Sequence, residues 1–592
     1  MVLDHWVANL LAPLGFWVLL NALDDLVIDF AAALAWLRYR TPTDEELNRP
    51  PPRPMAIFTA LWQEHRVIQK MLDHNLDGLL YPRVEFFIGA YPNDAPTVAA
   101  IRAAMERHPN VHLAMCPHDG PTSKADCLNW IYQRMLLYEE EHGVRFEMVL
   151  MHDAEDIIHP DSLRWVNYYA QWAEMVQVPV LALPTPLREL CHGVYCDEFA
   201  EYQFKDMMAR ELMGGFIPST GVGTGFSRRA LEGLAALHYN RIFEPGALTE
   251  DYENGWRIHA MGMRQKFIPI RLHDGQPMAT REYFPRRPGH AIRQRARWIM
   301  GNTLQTWEFH SAAETVRYAY WFWRDRKGLI GNLVTPLTNI LFLYGVLTLA
   351  WAQAQHHPWG LAREAAPWSN LYLTGVSLQT AHTLARIWFC SRVYGWPFAA
   401  CVPLRVIYGN WMNFAATVLA ISIYANAKLR GQPLRWVKTD HAYPSRAALV
   451  TDRKSLSEIL VGSGWITPAQ LTWARESCPR GLRLGEHMVK LGWLTENDLY
   501  TALSLQNHLP LGKPDAAAIS LPVTRSLPVR LAREWRVLPF RVAAGELYVA
   551  SSELPSNEMQ ENLRLFSALE VRFHLVTRAE FDELAAEFLP GA

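Results

Sequence analysis

Met151-His-Asp-Ala-Glu-Asp156 places three carboxylates, Asp153, Glu155 and Asp156, within four positions. Like charges so close repel unless a cation lies between them, and Mg2+ or Mn2+ prefers such hard oxygen ligands. An ion held there can bridge to phosphates, and a diphosphate leaving group needs its charge neutralised as its bond breaks. The same acids also suit a plainer role, a solvated turn capping a helix that begins near Asp161. Cys191-His192 with Cys196 is the nearest thing to a ligand cluster elsewhere, but it lacks a standard zinc spacing and a second pair. The seven cysteines therefore read as reduced and structural, which sets most of the mass in the cytoplasm.

The acidic run follows an apolar stretch, Phe146–Met151, one of several between residues 55 and 185. Ala56–Thr59, Val84–Ala90, Val111–Met115 and Val178–Leu183 have the same character and read as buried strands. Between them Val98, Ile101 and Met105 mark one helix, and Leu128, Ile131, Met135 and Tyr138 another. Alternating strands and helices predict a parallel, doubly wound α/β sheet, with ligands outside the carboxyl ends of its strands. The three acids stand at such an end.

The flanks are apolar. Of 592 residues half are hydrophobic, and the mean hydropathy of −0.07 fits a chain that is part membrane, part soluble. The 23 Trp and 22 Tyr suit a membrane–water interface. A net charge of −2 gives no sign of a nucleic-acid surface. The first apolar stretch, Leu10–Leu37, is too long for a signal-peptide core and ends at Arg38 and Arg40. The positive-inside rule makes residues 1–40 a crossing helix with its N-terminus outside. Asp24, Asp25 and Asp29 share a face of roughly 140° on that helix, which must look into protein or toward the interface.

Three more apolar stretches follow within 311–430: Leu329–Gln353, Leu371–Ser391 and Pro397–Tyr424. Arg324, Arg326 and Lys327 precede them; Lys428, Arg430, Arg435 and Lys438 follow. Both flanks are then cytoplasmic and the number of crossings is even. Pro403, Arg405 and Asn410 demote the third stretch to an interfacial helix. A linker spans 431–452, and a soluble domain of 453–592 closes the chain. In it Leu456, Leu460, Gly464, Ile466, Leu471 and Ala474 recur at an offset of 28 as Leu484, Met488, Gly492, Leu494, Leu499 and Ala502. This is a tandem helical-hairpin repeat with Gly464 and Gly492 at the turns. Arg536–Val542 and Leu547–Ser551 read as a hairpin, followed by a helix, a strand at Val571–Val576 and a last helix.

From Met55 to Gly301 the chain resembles the family 2 glycosyltransferases, the superfamily of cellulose and hyaluronan synthases. Thr59-Ala-Leu-Trp-Gln-Glu64 stands at the first nucleotide-binding turn and Ser123-Lys-Ala-Asp-Cys-Leu-Asn129 at the Lys-containing segment. Asp153-Ala-Glu155 stands where the family carries Asp-X-Asp. Gly223-Thr-Gly-Phe-Ser-Arg-Arg229 is similar to its acceptor-side loop. Thr249-Glu-Asp251 and Gln294-Arg-Ala-Arg-Trp298 match its Thr-Glu-Asp and Gln-X-X-Arg-Trp motifs. The resemblance implies a GT-A-like doubly wound domain over 41–310 and inverting transfer from a UDP-sugar. Asp251 is then the general base, in one catalytic turn with Glu250, although it also suits an N-cap of the helix Tyr252–Met261. Asp153 and Glu155, with Asp156, hold Mg2+ or Mn2+. Thr59, Glu64, Asn93, Asp94 and Lys124 bind the donor. Gln294, Arg297 and Trp298 meet the diphosphate and the acceptor, an indole face suiting a sugar ring. Two departures stand out: Glu155 replaces the second Asp of Asp-X-Asp, and Gly89-Ala-Tyr-Pro-Asn-Asp94 lacks the acid expected near the uracil.

The second repeat, running from Arg483 through Leu484, Gly485, Leu494 and Leu499 to Gln506, is similar to the N-terminal domain of type II secretion and pilus ATPases. Two such copies bind cyclic di-GMP in that family. The resemblance puts Arg483 on phosphate or a guanine edge, a close backbone approach at Gly485, and the leucines against the bases. The first copy departs at Ser455, Ser457, Arg475 and Cys478. No motor core follows, so the domain regulates. Together the parts resemble NfrB-type inner-membrane glycosyltransferases, known as phage-adsorption factors. That resemblance implies a donor such as UDP-N-acetylhexosamine, a polysaccharide or lipid-linked acceptor, control by cyclic di-GMP and an outer-membrane partner protein.

Overall fold

The computed structural model describes residues 2–79, 81–237, 240–273, 276–310, 318–432, 434, 455–463, 465–479, 481–507, 509–514, 519–543, 546–566 and 569–589. They fall into two compact units, one of residues 1–72 and 81–448, the other taking in 449–592. The expected linker lies almost wholly outside the described residues.

Helix α1 (Val2–Arg38) opens the first unit. Strands β1 (Met55–Ala60), β2 (Val84–Ala90), β3 (Val111–Met115) and β4 (Met148–Met151) alternate with helices α2 (Ala95–Met105) and α3 (Lys124–His142). Helix α4 (Ser162–Tyr169), β5 (Met175–Gln177), β6 (Val180–Ala182), α5 (Leu190–Glu201) and β7 (Thr224–Ser227) follow. Then come α6 (Glu250–Ala260), β8 (Gln265–Phe267), β9 (Thr280–Glu282) and α7 (Pro288–Ile299). The main sheet has the order β3-β2-β1-β4-β7-β5-β8.

β1 to β4 pair in parallel, as expected of a doubly wound sheet, and their Val, Ile, Phe and Met side chains, Met115 at the end of β3 excepted, are buried on both faces. β7 runs antiparallel to β4 and β5, so the sheet is mixed. The stretch Val178–Leu183 is not a central strand. Pro179 cannot donate to a ladder, and beyond it the chain leaves the sheet to pair as β6 with β9. The loop after β4 continues toward that pair through a bridge between Ile157 and Arg281.

Helices α8 (Ala319–Ala354), α9 (Ser369–Tyr394) and α10 (Val402–Leu429) complete this unit. Among the described residues α8 and α10 are the two reported as long and apolar enough to cross a membrane. This differs from the sequence reading, which set Pro397–Tyr424 on the interface and gave crossings to Leu371–Ser391 and to residues 1–40. The polar residues that argued against α10 are accommodated. Pro403 lies in its first turn, where a missing N–H costs no helix bond. Arg405 is 1% exposed and its Nε donates to Asp197 Oδ2 at 2.7 Å, with Nη2 to Oδ1 at 2.8 Å. Helix α10 also packs on α5 and α7.

The acids of α1 do turn into protein. Asp24 and Asp25 pair with Arg324 and Lys327 of α8, and Asp29 lies 3.1 Å from Lys205.

In the second unit α11 (Leu456–Gly462), α12 (Pro468–Ser477), α13 (Leu484–Lys490) and α14 (Glu496–Asn507) form the two expected hairpins. Gly492 ends α13 at φ +73, a conformation that favours glycine; Gly464 lies outside the described residues. Strands β10 (Val537–Ala543) and β11 (Glu546–Ser551) make the hairpin, and β12 (Glu570–Leu575) joins β11 in parallel.

Asp197→Ala leaves the buried Arg405 guanidinium without its carboxylate. The expected loss is about 3–5 kcal/mol, seen as a lower melting temperature in detergent. Asp197→Asn combined with Arg405→Met recovers most of it, because neither partner is then left charged.

Candidate active site

The ends of β1, β2 and β4 enclose a cavity of about 140 Å3 with α3, α6 and α7. Ser123 caps α3, its hydroxyl accepting from Asp126 N at 3.2 Å, and so fixes Lys124 in the first helical turn. From there the ammonium reaches Asp153 Oδ1 at 2.5 Å and Glu250 Oε1 at 3.9 Å. Residues from β4, α3 and α6, over 120 positions apart, thus meet around one cation. Asp251 lines the same cavity as Asp153 and Glu155.

Six carboxylates line this cavity (Glu64, Asp153, Glu155, Glu250, Asp251, Glu282) against two cations, Lys124 and Arg297. Burial pushes Glu250 up to about 7, with Lys124 opposing and Asp251 reinforcing the shift. Burial also raises Asp251, again against the pull of Lys124. Glu282 is held well above the usual carboxylate range by burial and by Asp156, Glu155 and Asp153. For Lys124 burial alone would favour the neutral amine, but Asp153 and Glu250 prevail and raise its pKa. Burial leads the three carboxylate shifts, and neighbouring acids add to those of Glu250 and Glu282.

Not every expected residue meets the cavity. Asp156 is fully buried outside its lining: Oδ2 accepts from His152 Nδ1 at 2.8 Å and from Asp153 N at 3.0 Å, and burial raises it to about 6. It shapes the turn that presents Asp153 and Glu155. Helix α4 takes no side-chain cap from Asp161, which pairs with Arg164 at 2.8 Å instead. Thr59 is completely buried outside the lining, which begins with Ala60, Leu61 and Trp62. Asn93 exchanges hydrogen bonds with the backbone of Gly120, and Asp94 accepts from Gln63 N at 2.5 Å. Both tie loops together; Tyr91 faces the cavity in their place. Glu64 is in the lining as expected.

Within Gln294–Trp298 the i, i+3, i+4 positions share a helix face, so Gln294, Arg297 and Trp298 all line the cavity. Gln294 Oε1 accepts from Tyr195 OH at 3.0 Å, and Trp298 packs edge-on to Phe284 and Tyr195. Arg295 faces away, to Glu198 at 2.8 Å. From the acceptor-side loop the cavity takes Thr220, Gly221 and Val222, just before the expected Gly223–Arg229. Gly221 sits at φ +80, and a Cβ there would lie 2.7 Å from Asp251 Oδ2, so only glycine lets this loop pass Asp251. Gly301 is equally constrained, because a Cβ would overlap the Thr249 side chain.

Glu282 was not foreseen. It is a lone acid, and only the pairing of β9 with β6 and of Arg281 with Ile157 brings it beside the acids after β4.

Behind Asp251 a second cavity of about 670 Å3, sharing Thr249, Asp251, Glu282 and Trp298, extends to α1, α8 and α9. Tyr252 OH, on the residue after Asp251, donates to Asp325 Oδ2 of α8 at 2.7 Å, and Asp325 also pairs with Arg210. The apolar stem of Tyr252 is buried with Phe216, Trp256 and Phe322. Among the described residues no three His, Cys, Asp or Glu side chains converge as a preformed metal site. The donor set, carboxylate oxygens in excess of cations, nonetheless suits a hard divalent ion.

In the second unit Arg483 precedes α13, exposed, 3.1 Å from Glu553. Leu494 and Leu499 are 5% and 6% exposed, Leu494 in one core with Leu460, Met488 and Ala502, and Leu499 beside Gly485. They support the repeat instead of facing a ligand, and a Cβ on Gly485 would strike Leu499. Leu484 is only partly buried at the edge of that core. Two residues that depart in the first copy bond one another, Arg475 Nη2 donating to Ser457 Oγ at 3.2 Å.

Residues 51–301 match the model of the glycosyltransferase-like family 2, and residues 507–592 that of the MshEN domain. The MshEN match lies C-terminal to almost all of the helical repeat. Bacteriophage adsorption protein B of Escherichia coli (strain K12) is 32% identical over 564 residues, 90% of this chain and 75% of the relative. Bacteriophage N4 adsorption protein B of Escherichia coli O157:H7 matches to the same extent. The chain belongs to this family. It is a family 2 glycosyltransferase with an MshEN domain. Among solved structures it is similar to a mannosyltransferase from Pyrobaculum calidifontis in complex with GDP-mannose and Mn2+, 18% identical, covering 71% of this chain and 99% of that one at a TM-score of 0.42.

Tyr252→Phe deletes the hydrogen bond that fixes the turn carrying Asp251 to α8. Turnover is expected to fall about tenfold, roughly 1.4 kcal/mol, at unchanged donor KM. Initial-rate kinetics of nucleotide release decide it. Gly301→Ala displaces Thr249 and lowers turnover further, while the melting temperature in detergent shifts by only a few degrees, about 1–3 kcal/mol of overpacking.

Proposed function

We propose that this glycosyltransferase moves a sugar, an N-acetylhexosamine, from its UDP conjugate to a growing exopolysaccharide, with inversion at the anomeric carbon. The observation that carries the reading is that Asp251 lines one cavity with Asp153 and Glu155. Asp251, its basicity raised by burial, takes the proton from an acceptor hydroxyl as that oxygen attacks the anomeric carbon and the bond to the diphosphate breaks. Glu250 keeps Lys124 in place beside it. Lys124 and Arg297 meet the diphosphate oxygens, and Trp298 gives the acceptor ring an aromatic face. Asp153 and Glu155 hold Mg2+ or Mn2+, which neutralises diphosphate charge when bound. Glu64 serves the nucleoside side.

The chain is a multi-pass protein of the bacterial inner membrane, with its catalytic and C-terminal units in the cytoplasm. Its second unit binds cyclic di-GMP through the exposed Arg483 and sets the rate, and the product passes to an outer-membrane partner. Transfer of one sugar to a lipid carrier is the second reading. It is favoured by the larger cavity, which runs from Asp251 to α1, α8 and α9.

Purified protein in detergent, given a panel of UDP-sugars with Mg2+ or Mn2+, is expected to release UDP from one donor. The rate should rise with cyclic di-GMP, and that rise should vanish in Arg483→Ala. Asp251→Asn should lower the rate by at least about 10^2-fold. Product length separates polymer from single addition, and silence from every donor would defeat the reading.

A further inference from the structure

The first unit carries a second cleft, of about 760 Å3, which shares no residue with the transfer cavity. It lies where the end of α1 meets α4, β5 and β8. Three of its rings form an edge-to-face cluster: Tyr168 has its centroid 5.1 Å from both Tyr169 and Trp172, and Tyr169 lies 5.8 Å from Trp172. Trp172 is 42% exposed, so a large indole is left facing water at the rim. Aromatic rings gathered on a concave surface suit a flat ligand.

The charges decide what kind. Glu211 is engaged with Lys266, whose ammonium lies 5.3 Å from the Tyr169 centroid, and Arg40 is engaged with Glu46 at 2.9 Å. The Gln265 amide is used up on backbone groups of Ile217 and Gly255. Arg38 and Arg264 are exposed, and their guanidiniums have no side-chain partner among the described residues. Two guanidiniums at the cleft are thus uncommitted, and they favour negative charge. A neutral glycan brings no charge to set against them. A ligand that brings both an anion and a flat ring is a nucleoside phosphate.

We propose that this cleft is a second ligand site, for a nucleoside phosphate, with the base against Trp172 and Tyr168 and the phosphates on Arg38 and Arg264. The volume fits, since sites for ligands of this size run to roughly 300–1,000 Å3. Occupancy needs neither the metal nor the donor pocket.

The probe is N-methylanthraniloyl-ADP, titrated by fluorescence into full-length protein in detergent. Asp153→Ala and a chelator silence the transfer cavity. Binding is expected to persist in that background and to weaken at least about tenfold in Trp172→Ala, the scale of one lost base stack. Trp172→Phe should retain it, which separates a lost ring from a damaged fold. Arg38→Ala with Arg264→Ala should weaken it and flatten its salt dependence. With Asp153 intact, the Trp172 and Arg264 variants should release UDP at the wild-type rate within about twofold. The proposal is overturned if the probe fails to bind once Asp153 is replaced, if Trp172→Ala binds as tightly as the parent, or if a neutral oligosaccharide displaces the probe and unlabelled ADP does not.

Discussion

Lys124 is the contact on which the site depends. Carboxylates brought from β4, α6 and β9 into one small cavity repel one another, and that repulsion must be offset before the strands and helices can close around it. Lys124 does part of this from the capped first turn of α3, joining Asp153 to Glu250. It does not do all of it. Glu250 and Glu282 keep raised pKa values, so the folded protein retains unspent affinity for positive charge exactly where a diphosphate would need it. The cavity is stable enough to form and incomplete enough to bind.

A second constraint comes from the apolar helices. The first turns of α8 hold α1 through Asp24 and Asp25, and hold α6 through Asp325 and Tyr252. Because Tyr252 follows Asp251, the position of Asp251 is tied to a helix that is long and apolar enough to leave the aqueous phase. Buried ion pairs of this kind add little net stability, yet they specify one arrangement, since any slip leaves a charge unpaired. The same reasoning covers Arg405 and Asp197, which register α10 against α5.

Much of this was legible in the sequence because it is local. Apolar runs bounded by turns gave β1 to β4 to within two residues, the 28-residue offset gave the two hairpins, and the acids after β4 stand in a single hexapeptide. What was missed depends on pairing between distant segments. Pro179 diverts the chain from the main sheet to β9, and that diversion alone supplies Glu282. Asn93 and Asp94 have the right types for donor binding, but both are consumed by backbone groups of neighbouring loops. Asp156 belongs to the acidic run by position and to the turn by its bonds.

The second unit shows the same limit from another side. A repeat motif records which positions are constrained, not what constrains them. Leu494, Leu499 and Gly485 satisfy a ligand-binding pattern and a helix-packing pattern equally well, and burial decides for packing. Arg483 is the exception, since a long charged side chain left exposed before a short helix contributes nothing to that core. Its tie to Glu553 is one of several between the repeat and the small sheet domain, beside Arg578 to Glu486 at 2.7 Å and Tyr500 OH to the Ser552 carbonyl at 2.9 Å, so Arg483 can leave it without dismantling the junction.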